Sequence, residues 1–401
     1  MKEGWKYMKL GEISVSIKDG DWIEKKDQSL YGFRLIQTGN IGVGLFKNKA
    51  ESARYISEET FSRLHCEEVF EGNILISRLP DPVGRACIVP HLDTRNITAV
   101  DCSIVKLNSK IINSDYFILY TQSNKYFNKV SSLSTGTTRQ RITRKKLAEL
   151  QIPVPPLPEQ QRIVSYLDAQ FAKIDQLKKN AERQLQAAKD LWQKALNEML
   201  EPKDLWDRKE LKDLCTHIID CPHTTPKKSE NKTNFPCIRT SELKNGSIYW
   251  ESMQYLEESE YLKRISRLIP QADDIVYGRE GTFGDAVLLP QGYKFCLGQR
   301  TMLLRPNKDI ISPNFLHYAI ISPLVYNQAQ EKNSGCGVPH VNVADVKKFK
   351  ISFPKSLCEQ KKITTQLDEL SLRCKLLESN YNTTITLCND LKQSLLKQIF
   401  E

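Results

Sequence analysis

From Ile163 to Met199 an apolar side chain returns every third or fourth residue: Ile163, Leu167, Phe171, Ile174, Leu177, Ala181, Leu185, Ala188, Trp192, Ala195 and Met199. Lys, Gln, Glu and Asp fill the positions between them. Such spacing lays one apolar stripe along a helix and leaves the other side to water. Pro158 suits a first helical turn, where its missing N–H would have no partner, and neither Pro nor Gly recurs before Pro202. One unbroken helix of about 43 residues, roughly 64 Å long, is predicted. A stripe of that length needs a second helix to cover it. The run from Glu359 to Phe400 also lacks Pro and Gly, and Leu367, Leu370, Cys374, Leu377, Tyr381, Thr384, Cys388, Leu391 and Leu395 recur with the spacing of a coiled-coil seam. Helix-packing contacts are therefore expected at Ile163, Leu167, Ile174 and Leu185 of the first run and at Leu367, Leu370, Leu377 and Leu391 of the second.

The two runs open alike, with EQQRIVSYLD at 159–168 and EQKKITTQLD at 359–368, and a shift of about two hundred residues keeps producing matches. LIQTGNIGVG at 35–44 meets CIRTSELKNG at 237–246, GNILISR at 72–78 meets DDIVYGR at 273–279, Gly84 meets Gly284, and IPVP at 152–155 meets ISFP at 351–354. The order is never broken, so the chain reads as a tandem duplication with an internal pseudo-twofold repeat. A long period in two copies argues against a solenoid of short repeats. The expected organisation is a first globular domain over 1–154, a long helix over 155–201, a second globular domain over 202–354 and a second long helix over 355–401. The fold class is mixed α/β (α+β), the two domains separated by antiparallel helices forming a coiled coil.

Composition refines this picture without altering it. With 40% apolar and 26% charged residues over 401 positions, the chain is ordinary globular protein, long enough for two cores. It shows no signal segment and no apolar run long enough for a membrane span, so a cytoplasmic location with no membrane partner is expected. Eleven cysteines, scattered without a CxxC pair, suit reduced thiols. Cys215, His217, Cys221 and His223 could be drawn as zinc ligands. The matching stretch of the first half, ISVSIKDGDW, has neither Cys nor His, so a fold built twice does not need the metal and none is expected.

Charge adds a direction. The formal balance is +10, from 58 basic and 48 acidic residues, which favours a polyanionic partner. The segment SLSTGTTRQRITRKK at 132–146 concentrates it, with Thr137, Thr138, Arg139, Gln140, Arg141 and Arg144. Arg can hold guanine O6 and N7 together, Gln can do the same for adenine, and Thr can hold a phosphate. An exposed loop leading into a charged helix would explain the same residues. The second-half counterpart, which includes His340, is far less basic, so the two domains should not read one sequence. Thr38 and Thr240 occupy matching positions, the latter after Arg239, and Arg78 and Arg279 each end a short apolar strand before a turn, from which they could reach a ligand or close a structural salt bridge. CPHTTPKK at 221–228 offers His223, Thr224, Thr225 and Lys227 for phosphate contacts, although simple turn chemistry would also account for it.

Catalytic motifs fail to assemble. VPPL at 154–157 lacks the polar first residue and aromatic last residue of the motif that holds a flipped adenine, and GNIGVG at 39–44 lacks the spacing of a dinucleotide or phosphate loop. No acidic pair followed by Lys marks a metal-dependent nuclease. A non-enzymatic protein is expected.

The duplicated layout, the PPLPEQQRIVSYLD stretch and its second copy FPKSLCEQKKITTQLD together resemble the specificity subunit of type I restriction-modification systems, and DCPHTTP, SRLPDPVGR and GREGTFGDA are similar to segments of that family's target-recognition domains. The resemblance covers essentially the whole chain. It implies a DNA reader without chemistry of its own, each domain reading half of a bipartite duplex site and the helices setting the spacer. Two methyltransferase subunits and two restriction subunits would be the partners, and S-adenosylmethionine, ATP and Mg would belong to them, with no cofactor on this chain. The second helix departs from the pattern, since FPKSLCEQ replaces PPLPEQ. Two other readings stay open: a coiled-coil scaffold whose end domains bind proteins, and a specificity subunit serving a methyltransferase-nuclease fusion.

Overall fold

The computed structural model describes residues 4–136, 140–281, 284–332 and 340–401. Two long helices dominate the chain, Leu157–Met199 and Leu357–Phe400. The chain divides into two compact units, Met1–Ala181 with Thr383–Glu401, and Glu182–Asn382, so the division falls inside both helices and each unit takes part of each.

In the first unit, strands Ser14–Asp19, Cys102–Leu107, Ile74–Ser77 and Ala86–Ile88 lie side by side in that order, all antiparallel. The run ILIS at 74–77 is buried throughout, as the central position of its strand requires. A second sheet orders Arg54–Ile56, Phe33–Ile36, Asn96–Thr98 and Glu68–Val69, with Phe33–Ile36 and Asn96–Thr98 parallel. Helices Ser114–Thr121 and Asn124–Leu133 cover the core, and the side chains of Asn113 and Ser123 cap them by accepting from Tyr116 and Tyr126 N–H groups. Gly84 is held at φ +88°, where a Cβ would come within 2.8 Å of Val130, and its carbonyl accepts from Tyr126 Oη at 2.8 Å. Glycine alone fits that close approach without strain.

The second unit repeats the design. Strands Cys215–Asp220, Thr301–Pro306, Ile275–Gly278 and Ala286–Leu288 form the matching sheet, and the first strand carries a register shift at Cys215/His217 where its counterpart has one at Ser14/Ser16. Gly284 also takes positive φ, +95°, against Tyr326. The strand before each long helix pairs with the strand that opens its own domain: Gln151–Val154 with Lys6–Lys9, and Lys350–Pro354 with Trp206–Glu210. That closure places the helix start against the domain it follows.

The helix partners are antiparallel within each unit. In the first, Lys178 Nζ donates to Asn389 Oδ1 at 3.0 Å and Lys392 Nζ pairs with Asp175 Oδ1 at 2.6 Å while lying 5.0 Å from the Phe171 ring. Leu396 and Phe400 close this unit's core, the Phe400 ring packing edge-on against Tyr116 and Tyr120. In the second, Leu196 and Leu200 do so, and Trp192 packs edge-on against Tyr318. Each domain is thus sealed by the start of one long helix and the end of the other.

The seam corrects part of the expected packing. Ile163, Leu167, Ile174 and Leu367 are buried, and Leu185 and Leu370 are partly buried. Leu377 and Leu391 are instead exposed, at 38% and 48%, as is Leu177 at 57%. The positions shared with the partner follow Leu367, Cys374, Tyr381 and Cys388 by four residues, at Ser371, Glu378, Ile385 and Lys392, all partly covered. Three and four residues both return to roughly one face, and only the partner chooses between them. Small side chains let the helices approach: Ala181, Ala188 and Cys374 are all buried in the seam.

Candidate nucleic-acid interface

Arg78 follows strand Ile74–Ser77, and its backbone is held at both ends: its N–H donates to Asp101 O at 2.9 Å and its carbonyl accepts from Ile142 N at 3.2 Å. The side chain turns inward and is 5% exposed. Its Nη1 meets Asp19 Oδ1 at 3.3 Å, and Nη2 donates to the Val100 carbonyl. Burial pulls its pKa below the ordinary Arg value, with Asp19 opposing that shift. Around this pair, Arg144 Nε approaches Asp19 Oδ2 at 3.7 Å and Arg141 Nη2 meets Asp101 Oδ1 at 2.8 Å, both side chains about half exposed. Gln140 is exposed beside them, whereas Thr137, Thr138 and Arg139 lie outside the described residues. A buried ion pair therefore underlies a rim of exposed Arg and Gln donors of the kind that meet phosphates and base edges.

The second domain repeats the base and changes the rim. Arg279, 7% exposed, pairs through Nη2 with Asp220 Oδ1 at 3.0 Å. Its N–H donates to Arg300 O at 2.9 Å, and its carbonyl accepts from Val341 N at 3.0 Å. Arg300 thus stands where the first domain has Asp101, and His340, bridged to Glu280, stands where it has Arg141. His223 Nε2 lies 3.4 Å from Asp220 Oδ2 and is largely exposed. Thr224, Thr225 and Lys227 are exposed on the same loop, and Gln299 Nε2 donates to the His223 carbonyl at 2.8 Å. The two rims differ in charge and donor type on one common frame.

Thr38 and Thr240 occupy matching three-residue turns and are half-buried. Arg239 is committed to its own turn, with Nη2 2.5 Å from Glu242 Oε1 and 3.1 Å from Ser252 O, Glu242 being fully buried. Two buried arginines escape sequence reasoning. Arg85 donates to the carbonyls of Thr38 at 2.9 Å, Ile41 at 2.7 Å and Leu79 at 2.9 Å. Arg264 donates to the carbonyls of Thr224 and of Leu297, the latter at 2.9 Å. Each locks a candidate contact loop from below, and no periodicity marks a charged residue whose acceptors are distant carbonyls. Trp22 and Tyr31, 71% and 79% exposed, offer aromatic faces on the loop after Asp19.

Among the described residues no group of His, Cys, Asp and Glu is arranged to hold a metal, and no helix is long and apolar enough to cross a membrane. Cys221 is buried while His223 points to solvent, which separates the four residues that could be drawn as zinc ligands.

Comparison with known proteins accounts for the duplication. The type I restriction modification DNA specificity domain matches residues 2–187 and again 203–387. The chain is 23% identical to the EcoKI specificity subunit of Escherichia coli K12, over all of this chain and 89% of that one, and 21% identical to the EcoBI specificity subunit of E. coli, over 78% and 69%. In fold it is similar to a chain solved in a study of complex assembly and conformational transition of the type I R-M system, with a TM-score of 0.78 at 17% identity over 100% of this chain and 98% of that one. The HsdS subunit from Thermoanaerobacter tengcongensis aligns with a TM-score of 0.53 at 18% identity, over 100% of this chain and 97% of that one. With two such domains in tandem filling most of its length, the chain belongs to the family of type I restriction-modification DNA specificity subunits.

Proposed function

We propose that this chain reads a bipartite duplex DNA site, one half per domain, and carries no catalysis of its own. The observation that supports this most directly is the repeated frame with unlike rims: Arg78 on Asp19 beneath Arg141 and Arg144, and Arg279 on Asp220 beneath His223 and His340. Equivalent frames suit two domains that present themselves to DNA in the same way, and different rim donors suit two different half-sites. The long helices, of 43 and 44 residues, would set the spacer. Leu177 and Leu377, exposed at equivalent places on the two helices, would each contribute to docking one of two methyltransferase subunits, and two restriction subunits would complete the assembly. S-adenosylmethionine, ATP and Mg would be held by those partners.

The test is methylome sequencing of a host that expresses this chain with its neighbouring methyltransferase gene, against the same host without the chain. A bipartite adenine-methylated motif that appears only with the chain is the expected result. Formation of the complex without any motif would favour a protein-binding scaffold instead.

A further inference from the structure

The first unit contains a pocket of about 280 Å³ beside Thr38, lined by Arg34, Lys49 and Arg54 together with Gln37 and Asn40, and by no carboxylate. Arg34 lies on strand Phe33–Ile36, between strands Arg54–Ile56 and Asn96–Thr98, and is 6% exposed. Its Nη2 is buried without a hydrogen-bond partner. Among the described residues none of the three cations enters an ion pair, whereas Arg78, Arg239 and Arg279 each hold a carboxylate. A buried guanidinium N–H without an acceptor is unfavourable, and three cations around one cavity repel each other. An oxyanion in the pocket would offset the repulsion among the cations that line it.

The fold does not need this arrangement. In the second domain Pro236 and Gln254 stand at the positions of Arg34 and Arg54, where the two strands pair in the same antiparallel way. The basic pocket is therefore a property of one copy, not of the scaffold. Gly39 lies against Lys49, whose Nζ would be 3.2 Å from any Cβ there, so a larger residue would crowd the ammonium.

We propose that this pocket binds a phosphate oxyanion presented by the DNA backbone beside the half-site of the first domain, an assignment that rests on the DNA-reading function. Lys49 and Arg54 line it from exposed positions, and the buried Arg34 adds its positive charge from beneath. A phosphate contact supplies affinity and register without sequence information.

The experiment measures duplex binding by the methyltransferase-bound complex from low to physiological salt, for wild type and for Lys49→Ala combined with Arg54→Ala. These are exposed positions, so the double variant keeps its fold, and Arg34→Gln is read beside it after a thermal melt. The expected result is a salt slope shallower by about 0.9 for the lost phosphate contact, with the methylated sequence unchanged. Equal slopes and affinities, in a wild type that does bind its bipartite duplex, overturn the pocket assignment alone. A changed methylation motif overturns it in favour of a base contact. A DNA-free titration with inorganic phosphate, followed by phosphorus line broadening, separates the sources: broadening lost in the double variant while the DNA slope stays intact reassigns the pocket to free phosphate. A wild-type complex that binds no duplex removes DNA reading and this assignment together.

Discussion

Gln160 Nε2 donates a 2.8 Å hydrogen bond to the Pro155 carbonyl, tying the first turn of the long helix to the strand before it. The same amide donates to Ile111 O at 3.0 Å, and its oxygen accepts from Asn113 N at 2.7 Å. Gln360 repeats all three bonds with Pro354, Ile310 and Ser312. Both side chains are fully buried. The second helix therefore begins like the first without the PPLP run, because the glutamine, not the proline pair, anchors it.

Gln160→Ala should lower stability by about 1–3 kcal/mol, since it leaves two buried carbonyls and one N–H without a partner. Urea unfolding of the full chain would register this as a lower midpoint. Gln160→Glu should do more harm than Ala, because a carboxylate cannot donate to the two carbonyls.

Arg141→Ala and Arg78→Ala should separate reading from folding. Arg141 is half-exposed, so its loss should change stability by less than about 0.5 kcal/mol. It should weaken the first half-site alone, by about 1–3 kcal/mol if it holds a base. Arg78→Ala strips Asp19 and the Val100 carbonyl of a buried donor, for a loss of about 2–3 kcal/mol. Thermal melts beside methylation patterns would test both, and unchanged patterns for Arg141→Ala would count against its role.

Acid should weaken the second domain through His317. Its ring is 7% exposed, with Nε2 3.1 Å from the Ala286 carbonyl, and burial pulls its pKa from 6.5 down to about 4. The hydrogen bond to the Ala286 carbonyl opposes that shift, as does Asp368, while Lys375 lowers the value further. Below pH 6.5 the unfolded chain takes up a proton that the folded domain refuses, so this stability is full above 6.5 and is lost as pH falls toward 4. Between pH 6.5 and 5 the loss should be about 1–2 kcal/mol. His317→Gln should flatten that slope in denaturation measured across the interval.

Leu177→Glu should leave the stability of the chain within about 0.5 kcal/mol, since more than half of its surface faces water, and Leu377→Glu, with more of its surface covered, should cost somewhat more. Either should weaken assembly with a methyltransferase subunit, measured by light scattering on the mixed proteins. Assembly at wild-type strength in both variants would remove these leucines from the docking surface.

Four residues inserted between Ala181 and Ala188 should abolish the specific complex, because everything beyond them turns by about 40° relative to the seam. Seven residues inserted at matching places in both helices keep the heptad phase. That pair of insertions should lengthen the spacer by about 10.5 Å, roughly three base pairs, read from the methylated motif.

The duplication, the mixed fold class and the two long helices were legible in the sequence because each is a local or periodic signal. A helix without Pro or Gly announces its own length, and Leu157–Met199 spans the 43 residues that the pattern predicts. That Arg78 corresponds to Arg279 and Thr38 to Thr240 in the two copies was also legible. What each of those residues touches was not. Arg78 finds Asp19 from another strand, Arg85 finds Thr38 across 47 residues, and Arg34 is buried with no acceptor for Nη2.

The sequence by itself determined the elements and their repetition, because backbone hydrogen bonding and amphipathic periodicity act over neighbouring residues. Only the tertiary structure decided which face of the second helix is covered and which arginines are turned inward. Leu377 and Leu391 are left exposed while Glu378 and Lys392 flank the seam, since one helix cannot choose between steps of three and four until another packs on it. The burial of a charge is likewise set by where its counter-charge arrives in space, and that position belongs to the fold as a whole.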